Sequence, residues 1–273
     1  MQTQMPTQMP TQMPTPKQMA LPLAVEITGS GPPVVLVHGF TQTGRSWAPI
    51  GRPLAQRHTV HAIDAPGHGD SCAARLDLWE TGKAIARTAA DLDAPADLIG
   101  YSMGARMALH AVLVEPTRFR RLVLISGTAG LTEESARIRR RADDARMADE
   151  IERGGVDGLA GFLQRWLDGP LFSTLPPSAR SLEDRLRNTP EGLASSLRLC
   201  GTGSQSPLHD HLREVAAVTL VVCGALDTKF CVEASLLHAG IPGSSLTVID
   251  GAGHACHLEQ PEAVIQRILD HLS

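Results

Sequence analysis

Asp97-Leu98-Ile99-Gly100-Tyr101-Ser102-Met103-Gly104-Ala105-Arg106 is the stretch that decides the fold. It opens on a short apolar run, and from Gly104 to Leu113 the pattern becomes helical. Between the two stands G-x-S-x-G. A strand, a sharp turn and a helix in that order lift a serine hydroxyl clear of the end of a sheet strand. Side chains at the flanking positions would collide in so tight a turn, which accounts for the glycines. Ser102 is therefore the candidate nucleophile or base.

Working outward, similar apolar runs occur at Val34 to Val37, Thr59 to Ile63, Leu122 to Ile125, Leu220 to Val222 and Leu246 to Ile249. Short buried strands separated by helical stretches predict an α/β fold, with a mostly parallel central sheet flanked by helices. The alternation fails between about Gly130 and Leu212, which is rich in Arg, Glu, Asp and Leu. Helical patterns there span Glu133 to Arg153, Val156 to Leu167, Ser178 to Leu186 and Glu191 to Leu199. We read 130–212 as a helical cap inserted between two strands, enclosing the site. Residues 21–273 form the expected domain. Residues 1–20 repeat Thr-Gln-Met-Pro, and a proline at every fourth position blocks helix and sheet, so a disordered tail is expected.

An unassisted serine is a poor nucleophile or base and needs a histidine with an orienting acid. Asp227 follows the Leu220 strand and His254 follows the Leu246 strand. Both then sit at the carboxyl ends of strands, where sites of open α/β sheets form. The backbone N–H groups of Phe40 and Met103 are placed to hold a developing oxyanion. His38 is read as packing within its turn, His68 as part of a shaping turn, and His257 as structural or substrate-facing.

Arg106 lies one helical turn after Ser102, and Arg137, Arg139, Arg140 and Arg141 cluster in the cap, followed by Arg185 and Arg187. Most would serve as a solvated helix face. Several guanidiniums around one cavity would suit a small anionic substrate with two or more carboxylates.

Composition narrows the classes. Apolar residues make up 42% and the net charge is −4, so a strongly basic nucleic-acid surface is not expected. Aromatics are only 3%, which leaves the core to Ala, Leu, Val and Ile. The five cysteines are irregularly spaced with no CxxC pair, which points away from a zinc site or disulfide framework and toward a reducing cytoplasm. No apolar run is long enough to span a bilayer, and no secretion signal is expected. The sequence does not choose between monomer and homo-oligomer.

Gly100-Tyr101-Ser102-Met103-Gly104-Ala105-Arg106 resembles the elbow of the 2-succinyl-6-hydroxy-2,4-cyclohexadiene-1-carboxylate synthases, within the α/β-hydrolase superfamily. So do Gly130-Leu131, Pro170-Leu171-Phe172, Leu186-Arg187-Asn188, Gly192-Leu193-Ala194 with Ser196-Leu197, and Gly201-Thr202-Gly203. Asp227-Thr228-Lys229-Phe230 and Gly253-His254 through His257-Leu258-Glu259 extend the likeness, which runs from about Val34 to Leu269. The resemblance implies elimination of pyruvate from a cyclohexene carboxylate in menaquinone biosynthesis, without metal or organic cofactor. Ser102 would act as base, His254 would relay the proton and Asp227 would orient His254. Tyr101, Arg106, Arg140, Trp166, Arg187 and Lys229 would bind the carboxylates and ring. A serine hydrolase acting on a carboxylate-bearing ester or a carbon–carbon bond is the alternative, since the same triad serves acyl transfer. A catalytically silent binding protein on this fold is a third reading.

Overall fold

The computed structural model describes residues 23–273 apart from 91 and 93. The repeat over residues 1–20 lies outside the described residues. The chain runs through β1 (Val25–Gly29), β2 (Pro33–Val37), α1 (Ala48–Leu54), β3 (Thr59–Ile63), α2 (Leu78–Ala90), β4 (Ala96–Tyr101), α3 (Met103–Val114) and β5 (Phe119–Ile125). It continues through α4 (Glu134–Leu167), α5 (Leu182–Arg185), α6 (Pro190–Cys200), β6 (Val218–Gly224), α7 (Thr228–Gly240), β7 (Ser245–Ile249), α8 (Cys256–Glu259) and α9 (Pro261–Leu272).

The strands form one seven-stranded sheet in the order β1-β3-β2-β4-β5-β6-β7. All neighbours pair in parallel except β1 with β3. Successive side chains of a strand point to opposite faces, and the core divides accordingly. Val35, Val37, Leu98, Leu122, Leu124, Val221 and Cys223 pack in one cluster with α2, α3 and α7. Val34, Leu36, Ile99, Val123, Ile125 and Val222 pack in the other with α1, α8 and α9. Strands apolar on both faces are what a sheet covered by helices on both sides requires.

β1 has no counterpart among the apolar runs of the sequence. It is an antiparallel edge strand whose residues are mostly exposed, Ile27 among them, so no burial pattern announces it.

Between β5 and β6 the chain builds a separate helical layer. Ala148, Ile151, Phe162 and Leu163 of α4 bury against Leu193, Ala194 and Leu197 of α6. The sequence suggests two helices broken near residue 154. The α4 span holds both: they meet at a break at Gly155, whose φ of 57° and ψ of −160° are not helical. Ser178 to Leu186 is helical only over Leu182–Arg185, because Ser181 adopts a left-handed backbone, φ 48° and ψ 49°, that separates it from the short 3-10 turn Pro177–Ala179.

The elbow is a matter of clearance. A Cβ on Gly104 would lie 2.1 Å from the carbonyl oxygen of Val37 and 2.5 Å from that of His38. Both contacts are to backbone of the neighbouring strand end, which cannot swing aside. Gly104→Ala is therefore expected to lower the unfolding free energy by about 1–3 kcal/mol, read by chemical denaturation; a change within experimental error would show that α3 can slide.

Candidate active site

Three loops at the carboxyl ends of β4, β6 and β7 converge. Ser102 sits at the turn from β4 to α3 with φ 53° and ψ −110°, a strained backbone for a residue with a side chain. Its N–H is fixed by the carbonyl of Ile125 at 2.8 Å. Asp227 is the N-cap of α7; its Oδ1 accepts from the Phe230 N–H at 3.1 Å. His254 lies between them. Its Nε2 is 2.9 Å from Ser102 Oγ and its Nδ1 is 2.8 Å from Asp227 Oδ2. A carboxylate can only accept, so Nδ1 carries the proton and Nε2 is left to accept from the serine hydroxyl. Burial acts to raise the Asp227 pKa. The hydrogen bonds from His254 and Phe230, with the charges of His254 and Lys229, outweigh it and hold the carboxyl below its ordinary value.

The His254 loop is held from outside the array. Ser126 Oγ donates to the His254 carbonyl at 2.7 Å. Glu259 accepts from the N–H groups of Gly253 at 2.7 Å and Ala255 at 3.0 Å, one to each oxygen. A Cβ on Gly224 would stand 2.1 Å from the Gly253 carbonyl oxygen, so glycine lets this loop close onto the end of β6. Ser126 belongs to no motif of the sequence, whereas Glu259 closes the His254 motif with no role assigned to it there.

The Phe40 N–H is left open by its neighbours. Gly39 N–H donates to Gln42 Oε1 at 2.9 Å and Thr41 N–H to His68 Nε2 at 3.3 Å. Met103 N–H is at the first turn of α3, where no intrahelical acceptor exists. Phe40, Ser102, Met103 and His254 all line one cavity of about 310 Å³.

Arg106, Arg140, Trp166 and Lys229 line the same cavity. Arg106 is buried, and desolvation pushes its pKa down to about 10. Its Nη1 donates to the Cys200 carbonyl at 2.7 Å and to Gln205 Oε1 at 3.3 Å. Among the described residues no carboxylate forms an ion pair with it. Gln205 is buried and was not anticipated; a guanidinium only donates, so Oε1 must face Arg106, and Nε2 is left without a partner. Arg140 is half engaged, its Nε donating to Asp144 Oδ1 at 2.8 Å. Trp166 Nε1 is buried without a partner.

Two expected substrate contacts fall elsewhere. Arg187 points away from the cavity and pairs with Asp70 at 3.3 Å and Asp184 at 3.9 Å. It follows α5, where a step of two residues turns a side chain to the opposite side. Arg185 is the buried one of the two, though it does not line the cavity either: its Nε donates to the Arg180 carbonyl at 2.8 Å and its Nη1 donates to Thr41 Oγ1. Tyr101 is buried behind His254, ring centroids 5.4 Å apart, and does not line the cavity; its hydroxyl has no partner.

His38, His68 and His257 are buried, and burial lowers their pKa to about 4, about 3 and about 3. His38 Nδ1 donates to the Gly39 carbonyl and its Nε2 accepts from the Ala65 N–H at 2.9 Å. His257 is packed between Trp47 and Tyr101, with neither ring nitrogen bonded.

A family model for the alpha/beta hydrolase family matches residues 34–267. The chain belongs to that family. A protein of Bacillus subtilis (strain 168), provisionally named a 2-succinyl-6-hydroxy-2,4-cyclohexadiene-1-carboxylate synthase, is 36% identical over 238 residues, covering 84% of this chain and 85% of the relative. The synthase of that name from Salmonella paratyphi C (strain RKS4594) is 31% identical over 243 residues, covering 87% and 92%. Among solved structures, MenH from S. aureus superposes with a TM-score of 0.83 at 28% identity, covering 91% of this chain and 97% of the other. A thermophilic esterase from Thermogutta terrifontis superposes with a TM-score of 0.77 at 27% identity, covering 92% of each.

Gln205→Glu places a carboxylate where Arg106 already donates, and is expected to occupy that guanidinium and raise KM for a carboxylate substrate about tenfold or more. Arg187→Ala is expected to leave KM within about twofold, as for other exposed ion pairs. Equal effects of the two in steady-state kinetics would contradict the placement of the cationic wall.

Acid should destabilise the fold early. An unfolded histidine binds a proton near pH 6.5, whereas His38, His68 and His257 stay neutral in the fold down to about 4, about 3 and about 3. The unfolded state then binds more protons, so stability falls as pH drops from about 6.5 toward about 4. His257→Phe, which fills the same space without unbonded nitrogens, should reduce the slope of unfolding free energy against pH by about one proton; an unchanged slope would count against a neutral His257.

Proposed function

We propose that this chain eliminates pyruvate from a cyclohexene carboxylate to give 2-succinyl-6-hydroxy-2,4-cyclohexadiene-1-carboxylate, a step of menaquinone biosynthesis, with Ser102 as base. The observation that carries the reading is Arg106, a buried guanidinium with no carboxylate partner among the described residues, in the cavity that holds Ser102 and His254. Burying a cation without a counter-ion is costly. An anionic substrate supplies the missing charge, and a site for neutral esters has no use for it. The synthase relatives support the same reading.

In the proposed reaction Ser102 Oγ takes a proton from a ring carbon as its own proton passes to His254 Nε2. The electron pair left on carbon forms the new ring double bond, and the bond from ring carbon to the pyruvyl enol oxygen breaks. His254 returns its proton to the leaving enolate oxygen, and the enol so formed tautomerises to pyruvate. Asp227 holds the imidazole in the accepting tautomer and stabilises its charged form. The N–H groups of Phe40 and Met103 take the charge that develops on the substrate oxygen. Arg106, Arg140 and Lys229 bind carboxylates, and Trp166 packs on the ring. The reaction calls for no metal or organic cofactor.

We assign residues 21–273 to one catalytic domain, with 130–212 as a cap that brings Arg140 and Trp166 over the site. No helix among the described residues is long and apolar enough to cross a membrane. All five cysteines are free thiols, which supports a cytoplasmic location.

Hydrolysis of a carboxylate-bearing ester is the second reading, favoured by a triad and amide pair equally suited to acyl transfer. Incubation with the pyruvyl-oxy intermediate separates the two. Pyruvate release is expected, falling about 10³-fold or more in Ser102→Ala and His254→Ala. Arg106→Ala should mainly raise KM. Absence of pyruvate together with a burst of acyl-enzyme on a carboxylate-bearing ester would replace the lyase with the hydrolase.

A further inference from the structure

One side-chain pair outside the Ser102–His254–Asp227 array is built around it. Cys223 is the penultimate residue of β6 and Cys231 lies in the first turn of α7. The turn between them carries Asp227. The two sulfurs are 3.3 Å apart, the Cys223 thiol donating to Cys231 Sγ and the Cys231 thiol to the Gly224 carbonyl at 3.3 Å. Cys223 is buried at the end of the strand, whereas Cys231 is partly exposed.

We propose that Cys223 and Cys231 form a reversible disulfide that disables the active site, with a peroxide as oxidant. Cys231, the accessible thiol, gives up its proton and attacks one peroxide oxygen, forming a sulfenic acid while the other oxygen leaves as water. The Cys223 sulfur then displaces the sulfenic hydroxyl, which takes the Cys223 proton and departs as a second water. Two thiols are oxidised to one disulfide and one peroxide is reduced to two waters.

The consequence follows from which partner can move. A disulfide needs its sulfurs about 2.05 Å apart, so the gap must close by about 1.3 Å from 3.3 Å. Cys223 is paired in the sheet opposite Val248 of β7 and is fixed. The displacement therefore falls on the first turn of α7. Cys231 N–H donates to the Asp227 carbonyl at 2.9 Å, and Phe230 N–H donates to Asp227 Oδ1 at 3.1 Å. Drawing Cys231 toward the strand pulls the Asp227 carboxylate off His254 Nδ1 and shifts Lys229 and Phe230 in the cavity wall. A displacement of about 1 Å at reacting groups can cost about 10²-fold in rate.

Linkage of the two cysteines stands apart from the reaction proposed above; its effect rests on Asp227 orienting His254. The protein is treated with hydrogen peroxide, its remaining thiols are alkylated and its peptides mapped by mass. A cross-linked Cys223–Cys231 peptide is expected, with free thiols falling from five to three. Labelling of Ser102 by a serine-directed phosphonate, which needs an activated serine but no particular substrate, should slow about tenfold or more and recover with dithiothreitol. Cys231→Ser should label at the untreated rate before and after peroxide. A peptide joining Cys223 to Cys256, no joined peptide, or a joined peptide with unchanged labelling would each overturn the proposal.

Discussion

One imidazole, held between a hydroxyl and a carboxylate, is the constraint on which the rest of the site depends. His254 faces Ser102 at 2.9 Å and Asp227 at 2.8 Å, and both bonds use ring nitrogens whose roles are then fixed. Holding that ring takes groups from elsewhere in the chain. Ser126 bonds its carbonyl, Glu259 bonds the amides on either side, and Gly224 leaves room for the loop to descend. Rigid support of this kind keeps catalytic groups within a fraction of an ångström of working geometry.

The cavity beside the ring is electrostatically unfinished. Arg106 lines it, whereas Arg185 is buried outside its lining, and desolvation lowers the pKa of each to about 10. Each is held by neutral acceptors, Arg106 by Cys200 and Gln205 and Arg185 by Arg180 and Thr41. Neutral acceptors fix a guanidinium in place without cancelling its charge. The arrangement keeps positive potential available to a ligand, at a cost in folding stability. An engaged cation such as Arg140, bonded to Asp144, keeps less of it.

The same economy of support makes the site sensitive. Asp227 is at once the partner of His254 and the cap of α7, so its carboxylate cannot be separated from the position of that helix. A thiol pair straddling the turn acts on both. The helical layer between β5 and β6 likewise contributes side chains to the cavity while keeping an apolar core of its own.

By itself the sequence determined the parallel core and the identities of Ser102, Asp227 and His254. Apolar runs at strand length mark buried strands wherever both faces are covered, and the elbow and the two glycine-flanked turns are local in sequence. It was silent on β1, whose exposed residues obey no burial pattern, on Ser126 and Gln205, polar residues outside helices and strands that carry no periodic signal, and on the part Glu259 plays. Only the tertiary structure decided that Arg185 and not Arg187 turns inward, that Tyr101 lies behind the site, and that Arg106 is held by neutral groups. Those outcomes depend on which side chain a rotation of the backbone points at a neighbour far away in sequence, and no spacing within the chain encodes that.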